Sequence, residues 1–122
     1  SFGETDEMVA DKVIQAKQYN IEPLVCVQDK NTPVPETVRL IAYEPVFAIG
    51  TGNPDTPDNA NKVAAALKEK YDGLEVLYGG SVTSENAGAF LKQANISGLL
   101  IGRASLEAEE FIKIVEIAGN LL

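Results

Sequence analysis

Residues 42–52 read Ala42-Tyr43-Glu44-Pro45-Val46-Phe47-Ala48-Ile49-Gly50-Thr51-Gly52. The run from Leu40 to Tyr43 is continuously apolar, the pattern of a short strand covered on both faces, and Glu44 is the first charge after it. A carboxylate is thereby delivered to the C-terminal mouth of a strand. Pro45 has no N–H for a ladder and biases Glu44 away from helical backbone, so pairing is expected to end there. Val46 to Gly52 then form a loop of small and flexible residues able to close over a ligand. An acid so placed can act as a catalytic base, or it can be a solvated glutamate at a strand end. Gly50-Thr51-Gly52 is followed by Asn53, Pro54 and Asp55, so it fails the dinucleotide fingerprint, and no phosphate-binding P-loop pattern occurs.

Upstream of this stretch, Thr5 offers a helix cap, and Asp6 and Glu7 suit the positive end of a helix. Val9, Ala10, Val13, Ile14 and Ala16 give that helix an apolar stripe. Pro23 introduces a short strand, Leu24 to Val27. Only Gln28 to Arg39 remain before the strand that ends at Glu44, about the dozen residues that a parallel crossover needs. With Pro33 and Pro35 inside it, this connection has room for at most a turn or so of helix.

Downstream, Thr56-Pro57 places a capping residue before a proline at the first helical position, and Ala60, Val63, Ala64, Leu67 and Tyr71 continue an apolar face. Glu75 to Tyr78 is the third strand, broken by Gly79-Gly80. Thr83 or Ser84 is expected to cap a helix that buries Ala87, Phe90, Leu91 and Ala94. Leu99 to Ile101 is the fourth strand, broken by Gly102, and Phe111, Ile114, Val115, Ala118 and Leu122 line a last amphipathic helix. Strands alternating with helices imply a parallel sheet with helices on its outside. Four strands leave two lateral edges and an apolar inner surface that something must cover: a second copy, a separate N-terminal half, or aggregation.

The 122 residues suffice for one domain, taken here as 1–122, and 45% hydrophobic with 23% charged residues is a globular composition, not a disordered one. The net charge of −8 disfavours nucleic acid and acidic membranes as partners, so an anionic substrate needs locally positive backbone. The N-terminal residues are acidic where a targeting segment is basic, and no apolar run approaches membrane-spanning length, so a cytoplasmic protein is expected. Cys26 is the single cysteine and is expected to be a small buried hydrophobe. One cysteine and no histidine leave little for metal or redox work. Asn95-Ile96-Ser97 fits a glycosylation pattern, here without a secretion signal.

Ala42 to Gly52, then Tyr78-Gly79-Gly80-Ser81-Val82, then Leu100-Ile101-Gly102-Arg103-Ala104-Ser105-Leu106 resemble, in order, the last three strand-end signatures of the triosephosphate isomerase family. Ser1-Phe2-Gly3-Glu4-Thr5 is similar to the segment after that family's fourth strand. The resemblance implies half of an eightfold (β/α)8 TIM barrel, four parallel strands with outer helices, since a complete barrel takes about 250 residues. It implies that Glu44 is the base that interconverts an aldose and a ketose phosphate. It further implies that Gly50, Gly80, Ser81, Gly102 and Arg103 bind the phosphate of a triose phosphate substrate, and that Pro45, Val46, Phe47, Ala48, Ile49, Thr51 and Gly52 with Gly50 form a lid. No cofactor or metal is implied. Three positions depart from the pattern: Phe47 for tryptophan, Pro54 near the second hinge, and Arg103 for a second glycine.

The family's carbonyl-polarising lysine and histidine have no counterpart in these residues, and the resemblance implies that they precede Ser1. Alone, the chain is expected to be nearly inactive. It would work with an N-terminal half-barrel, or else be a self-associating, phosphate-binding half-barrel without catalysis. Another phosphosugar enzyme on the same scaffold is a third reading.

Overall fold

The computed structural model describes residues 3–121; the resemblance at Ser1 and Phe2 and the expected burial of Leu122 lie outside the described residues. Four strands, β1 (Leu24–Val27), β2 (Leu40–Tyr43), β3 (Glu75–Gly79) and β4 (Gly98–Leu100), form one parallel sheet in the order β1-β2-β3-β4. Sequence neighbours are thus spatial neighbours. The register pairs Cys26 with Ala42, Ala42 with Leu77, and Leu77 with Gly98, so the strand ends that carry the candidate site residues lie side by side.

Strand periodicity sorts the side chains into two faces. One set, Val25, Val27, Ile41, Tyr43, Val76 and Tyr78, is buried in the hydrophobic core beneath the helices. Ala60, Ala64 and Leu67 from α2 (Pro57–Lys70), Ala87 and Phe90 from α3 (Ala87–Leu91), and Ile114 from α4 (Ala108–Leu121) cover it. Burying a side chain such as Ile41 or Leu67 contributes about 1.5–3 kcal/mol. On the other face Leu24 is 36% exposed and Cys26 is exposed, while Leu40, Leu77 and Leu100 are only half-buried. The expectation that Cys26 is buried is therefore corrected. It sits on the open inner face because residues 24 and 26 share the parity that points away from the helices.

The first two helices begin where the caps predict. Thr5 Oγ1 accepts from Met8 N–H at 3.2 Å to open α1 (Asp6–Gln18), and Thr56 Oγ1 accepts from Asn59 N–H at 3.2 Å to open α2 behind Pro57. The connection between β1 and β2 contains no helix. Its own Val34 and Val38 are buried against the sheet instead, and Tyr71 of α2's C-cap accepts from Val34 N–H at 3.2 Å. A dozen residues can span the crossover only if the chain itself does the covering.

Three expectations shift. Neither Thr83 nor Ser84 caps α3 with its side chain; that helix starts later, at Ala87, because Asn86 Oδ1 takes the Thr83 N–H and Ser84 is engaged by Glu110. In α3, Ala87 and Phe90 are buried, whereas Leu91 is half-buried and Ala94, beyond the helix, is exposed. In α4 only Ile114 is buried; Phe111 and Val115 are 39% and 54% exposed, since α4 packs against α3 and the turn at 103–106 and leaves its outer side open, with Gly88 close to Ile117. No helix among the described residues is long and apolar enough to cross a membrane.

Candidate active site

Glu44 N–H donates to Val27 O at 2.8 Å, carrying the β1–β2 ladder one residue past Tyr43 before Pro45 ends it. Because β2 and β3 are in register at Tyr43 and Tyr78, Glu44 stands beside Gly79. Its side chain lies directly over that glycine: a Cβ at position 79 would stand 2.6 Å from Glu44 Oε1 and 2.9 Å from Cγ. Absence of a side chain on β3 is what makes room for the carboxylate. Its other neighbour is the Cys26 thiol, which is pushed up to about 11, first by desolvation and then by the nearby Glu44 charge. Cys26 is thereby held as a neutral thiol.

Glu44, Gly50, Gly80, Ser81, Gly102 and Arg103, every residue singled out for base or phosphate contact, line one cleft of about 410 Å³. Gly102, after β4, adds its own opening: a Cβ there would meet no atom within 4 Å, so its bareness widens the cleft and serves no internal packing. Arg103 is exposed and begins a short 3₁₀ turn, Arg103–Leu106, held by Ser105 N–H and Oγ donating to Gly102 O at 2.9 and 2.7 Å. Glu110, also at the cleft, accepts from Ser84 N–H at 2.6 Å and from Ser84 Oγ at 3.0 Å. These donors hold its carboxyl below the usual range, the backbone N–H first.

The loop after Glu44 is tied down over this cleft. Buried Pro45 starts a 3₁₀ turn, Val46–Ala48, in which Ala48 is fully buried while Val46, Phe47 and Ile49 are exposed. At the tip Gly50 and Gly52 have φ of 67° and 79°, values that L side chains rarely adopt, and Thr51 Oγ1 donates to Phe47 O at 2.8 Å. Ser81 is the tether: its Oγ donates to Ala48 O at 2.7 Å and accepts from Gly52 N–H at 3.0 Å. Ser81 itself has φ of 52°, a left-handed conformation that such a doubly engaged side chain holds in place. Gly80 is required by the same contact, since a Cβ there would lie 2.9 Å from Ala48 Cβ. Ile49 and Gly52 line the cleft with Gly50, whereas Pro45, Val46 and Phe47 border a separate groove of about 840 Å³ on the loop's far side. Lys30 lies in that groove with Lys62, away from the strand-end glycines.

Sequence reasoning passed over Tyr43, Asp55 and Tyr78. Tyr78 stacks on Phe90 with ring centroids 3.8 Å apart, and its hydroxyl donates to Gly80 O at 2.9 Å while accepting from Asp55 N–H at 2.8 Å. Tyr43 donates to Asp55 Oδ2 at 2.9 Å. The polar end of an aromatic strand residue was the available signal for the tyrosines. Asp55 carried none, because an acid ahead of Thr56-Pro57 reads as part of a helix start.

A sequence profile described as triosephosphate isomerase matches residues 1–118. The chain is similar to the triosephosphate isomerase of Nitrosococcus oceani, with 38% identity covering 97% of this chain and 60% of that protein. It is likewise similar to those of Aquifex aeolicus, with 38% identity over 93% of this chain and 58% of the relative, and Buchnera aphidicola, with 37% identity over 98% and 59%. It thus spans about 60% of the length of the curated relatives it matches.

Proposed function

Since the chain belongs to the triosephosphate isomerase family, we propose that it supplies the base, the closing loop and the phosphate cradle of an enzyme that interconverts dihydroxyacetone phosphate and glyceraldehyde 3-phosphate. The observation that carries this reading is that the Glu44 carboxylate and the glycine turns after β3 and β4 line the same cleft under the same loop. Glu44 takes a proton from the carbon beside the carbonyl, an enediolate forms, and the proton returns to the neighbouring carbon, so no atom or electron is lost from substrate. The phosphate sits against backbone of the Gly80-Ser81 and Gly102-Arg103 turns, where N–H groups can neutralise an anion on a chain of net charge −8. Residues 45–52 close over both ends and keep water from the intermediate.

The 122 residues contain no histidine, and Lys30 borders the far groove, so the side chains that would polarise the carbonyl come from an N-terminal half-barrel. Losing such transition-state stabilisation costs about 10²-fold or more, which leaves the chain alone nearly inactive. The test is complementation. Mixed or fused with the N-terminal half of a triosephosphate isomerase, the chain should convert dihydroxyacetone phosphate, and Glu44→Gln should remove that turnover; an inactive complex, or an active Glu44→Gln complex, refutes the assignment. A second reading, a self-associating phosphate-binding half-barrel without catalysis, draws on the uncovered inner face. It gains if the chain forms a stable homodimer that ignores the other half.

A further inference from the structure

Among the described residues, the connection between β1 and β2 is the one crossover of the sheet without a helix. Two of the matched relatives align with this chain over 149 and 150 positions, more than the 122 residues it possesses, so those proteins carry a stretch with no counterpart here. A surplus of that size is enough for a helix with its turns, and the helix-free crossover is where it is missing. Val34 and Val38 of the short connection seal the sheet beneath, so the core is closed without it. What the shortening leaves open is the groove of about 840 Å³ on the outer side of the 45–52 loop.

Asn59, Lys62, Val63 and Ala66 form the α2 wall of that groove. Their spacing, i, i+3, i+4 and i+7, is the stripe that one helix turns toward another, and Val63 and Ala66 within it are only half-buried. Val46 and Phe47, 60% and 59% exposed, add apolar surface at one end. Among the described residues Lys30 and Lys62 are the cations of the lining and Asp29 its carboxylate. Lys30 has no ion-pair partner there, and Lys62 meets Asp58 at 2.6 Å on an exposed rim. Asp29 is spent on its own turn, where Oδ1 accepts from Asn31 N–H at 2.7 Å and Thr32 N–H at 3.0 Å. The groove is thus locally positive on a chain of net charge −8 and attracts carboxylates. Two copies of so acidic a chain repel each other, which favours a different chain as the occupant.

We propose that this groove docks an α-helix of a partner protein, apolar along one stripe and flanked by carboxylates, in the place of the helix that the β1–β2 crossover lacks. The docked helix lies along Val63 and Ala66, with its acidic side chains opposite Lys30 and Lys62. The inference stands apart from the isomerase reading, because it uses none of the residues that line the Glu44 cleft and needs no turnover. The test titrates the full chain with two synthetic amphipathic helical peptides that share one leucine stripe, one peptide flanked by glutamates and the other by lysines. Fluorescence anisotropy reads affinity, and amide hydrogen exchange locates the contact.

The glutamate peptide should bind at least about tenfold more tightly than the lysine peptide and slow exchange over residues 28–31 and 59–66. Non-specific attraction to a chain of net charge −8 favours the lysine peptide, so the opposite order is diagnostic. Lys30→Glu combined with Lys62→Glu, both at the surface, should invert the preference with a nearly unchanged melting curve. Equal affinity of the two peptides, or binding that ignores the double substitution, overturns the proposal. So does protection confined to Leu24, Leu40, Leu77 and Leu100, which marks the inner face of the sheet as the site. Protection of residues 59–66 that grows with chain concentration in the absence of peptide makes a second copy the occupant and refutes a partner protein.

Discussion

Glu44 and Gly79 are a matched pair, and the match is steric. The atoms that a Cβ at position 79 would strike, Oε1, Cγ and Cδ of Glu44, all belong to a side chain that can swing away. Gly79→Ala should therefore fold with nearly unchanged thermal stability while displacing the carboxylate. In the complemented enzyme kcat/KM should fall by about 10²-fold, the usual cost of an ångström-scale misplacement of a reacting group. A steady-state assay beside a melting curve checks this; full activity in the variant would show that the carboxylate works from another rotamer. The glutamate was legible in the sequence because it interrupts an apolar run just before a proline. Its seating was not, because the register that sets Glu44 beside Gly79 is a property of two strands.

At the scale of elements, β2 ends in Tyr43 and β3 carries Tyr78 one residue before its end, and both hydroxyls are bound inside the fold. Tyr78 is pushed up to about 12, chiefly by burial, and Tyr43 is raised further by burial and the hydrogen bond to Asp55. Both phenols hold their protons more tightly folded than unfolded, where the ordinary value is about 10. Their contribution to stability is thus complete below pH ~10 and is lost as pH rises toward and through the folded values. An alkaline titration followed at 295 nm and by far-ultraviolet circular dichroism should show these two phenolates appearing together with loss of structure. Phenolates of Tyr43 and Tyr78 forming in an intact fold would contradict their burial. Helix starts at Thr5 and Thr56 could be read from local chemistry, whereas α3 could not: Asn86 and Glu110 compete for the backbone that Thr83 or Ser84 would have opened.

For the whole molecule, the sheet has helices on one face and leaves Leu24, Leu40, Leu77 and Leu100 incompletely covered on the other, between lateral strands β1 and β4. An apolar surface with two open edges is a template for association. The isolated chain should sediment above monomer mass in a concentration-dependent way and bind an apolar dye such as ANS. An equimolar N-terminal half-barrel should convert it to a one-to-one complex and suppress the dye signal. A monomer that leaves the dye dark would mean that the inner face closes on itself.

The order of strands and helices, the parallel sheet, the strand-end position of Glu44 and the three glycine turns followed from the residues themselves, because period, capping chemistry and chain-breaking act over a few neighbouring positions. Register, the outward parity of Cys26, the Ser81 tether and the Asp55 hydrogen bonds belonged to the tertiary structure. Each joins residues far apart along the chain, and a hydrogen bond such as that between Asp55 and Tyr78 leaves no periodic trace in either segment.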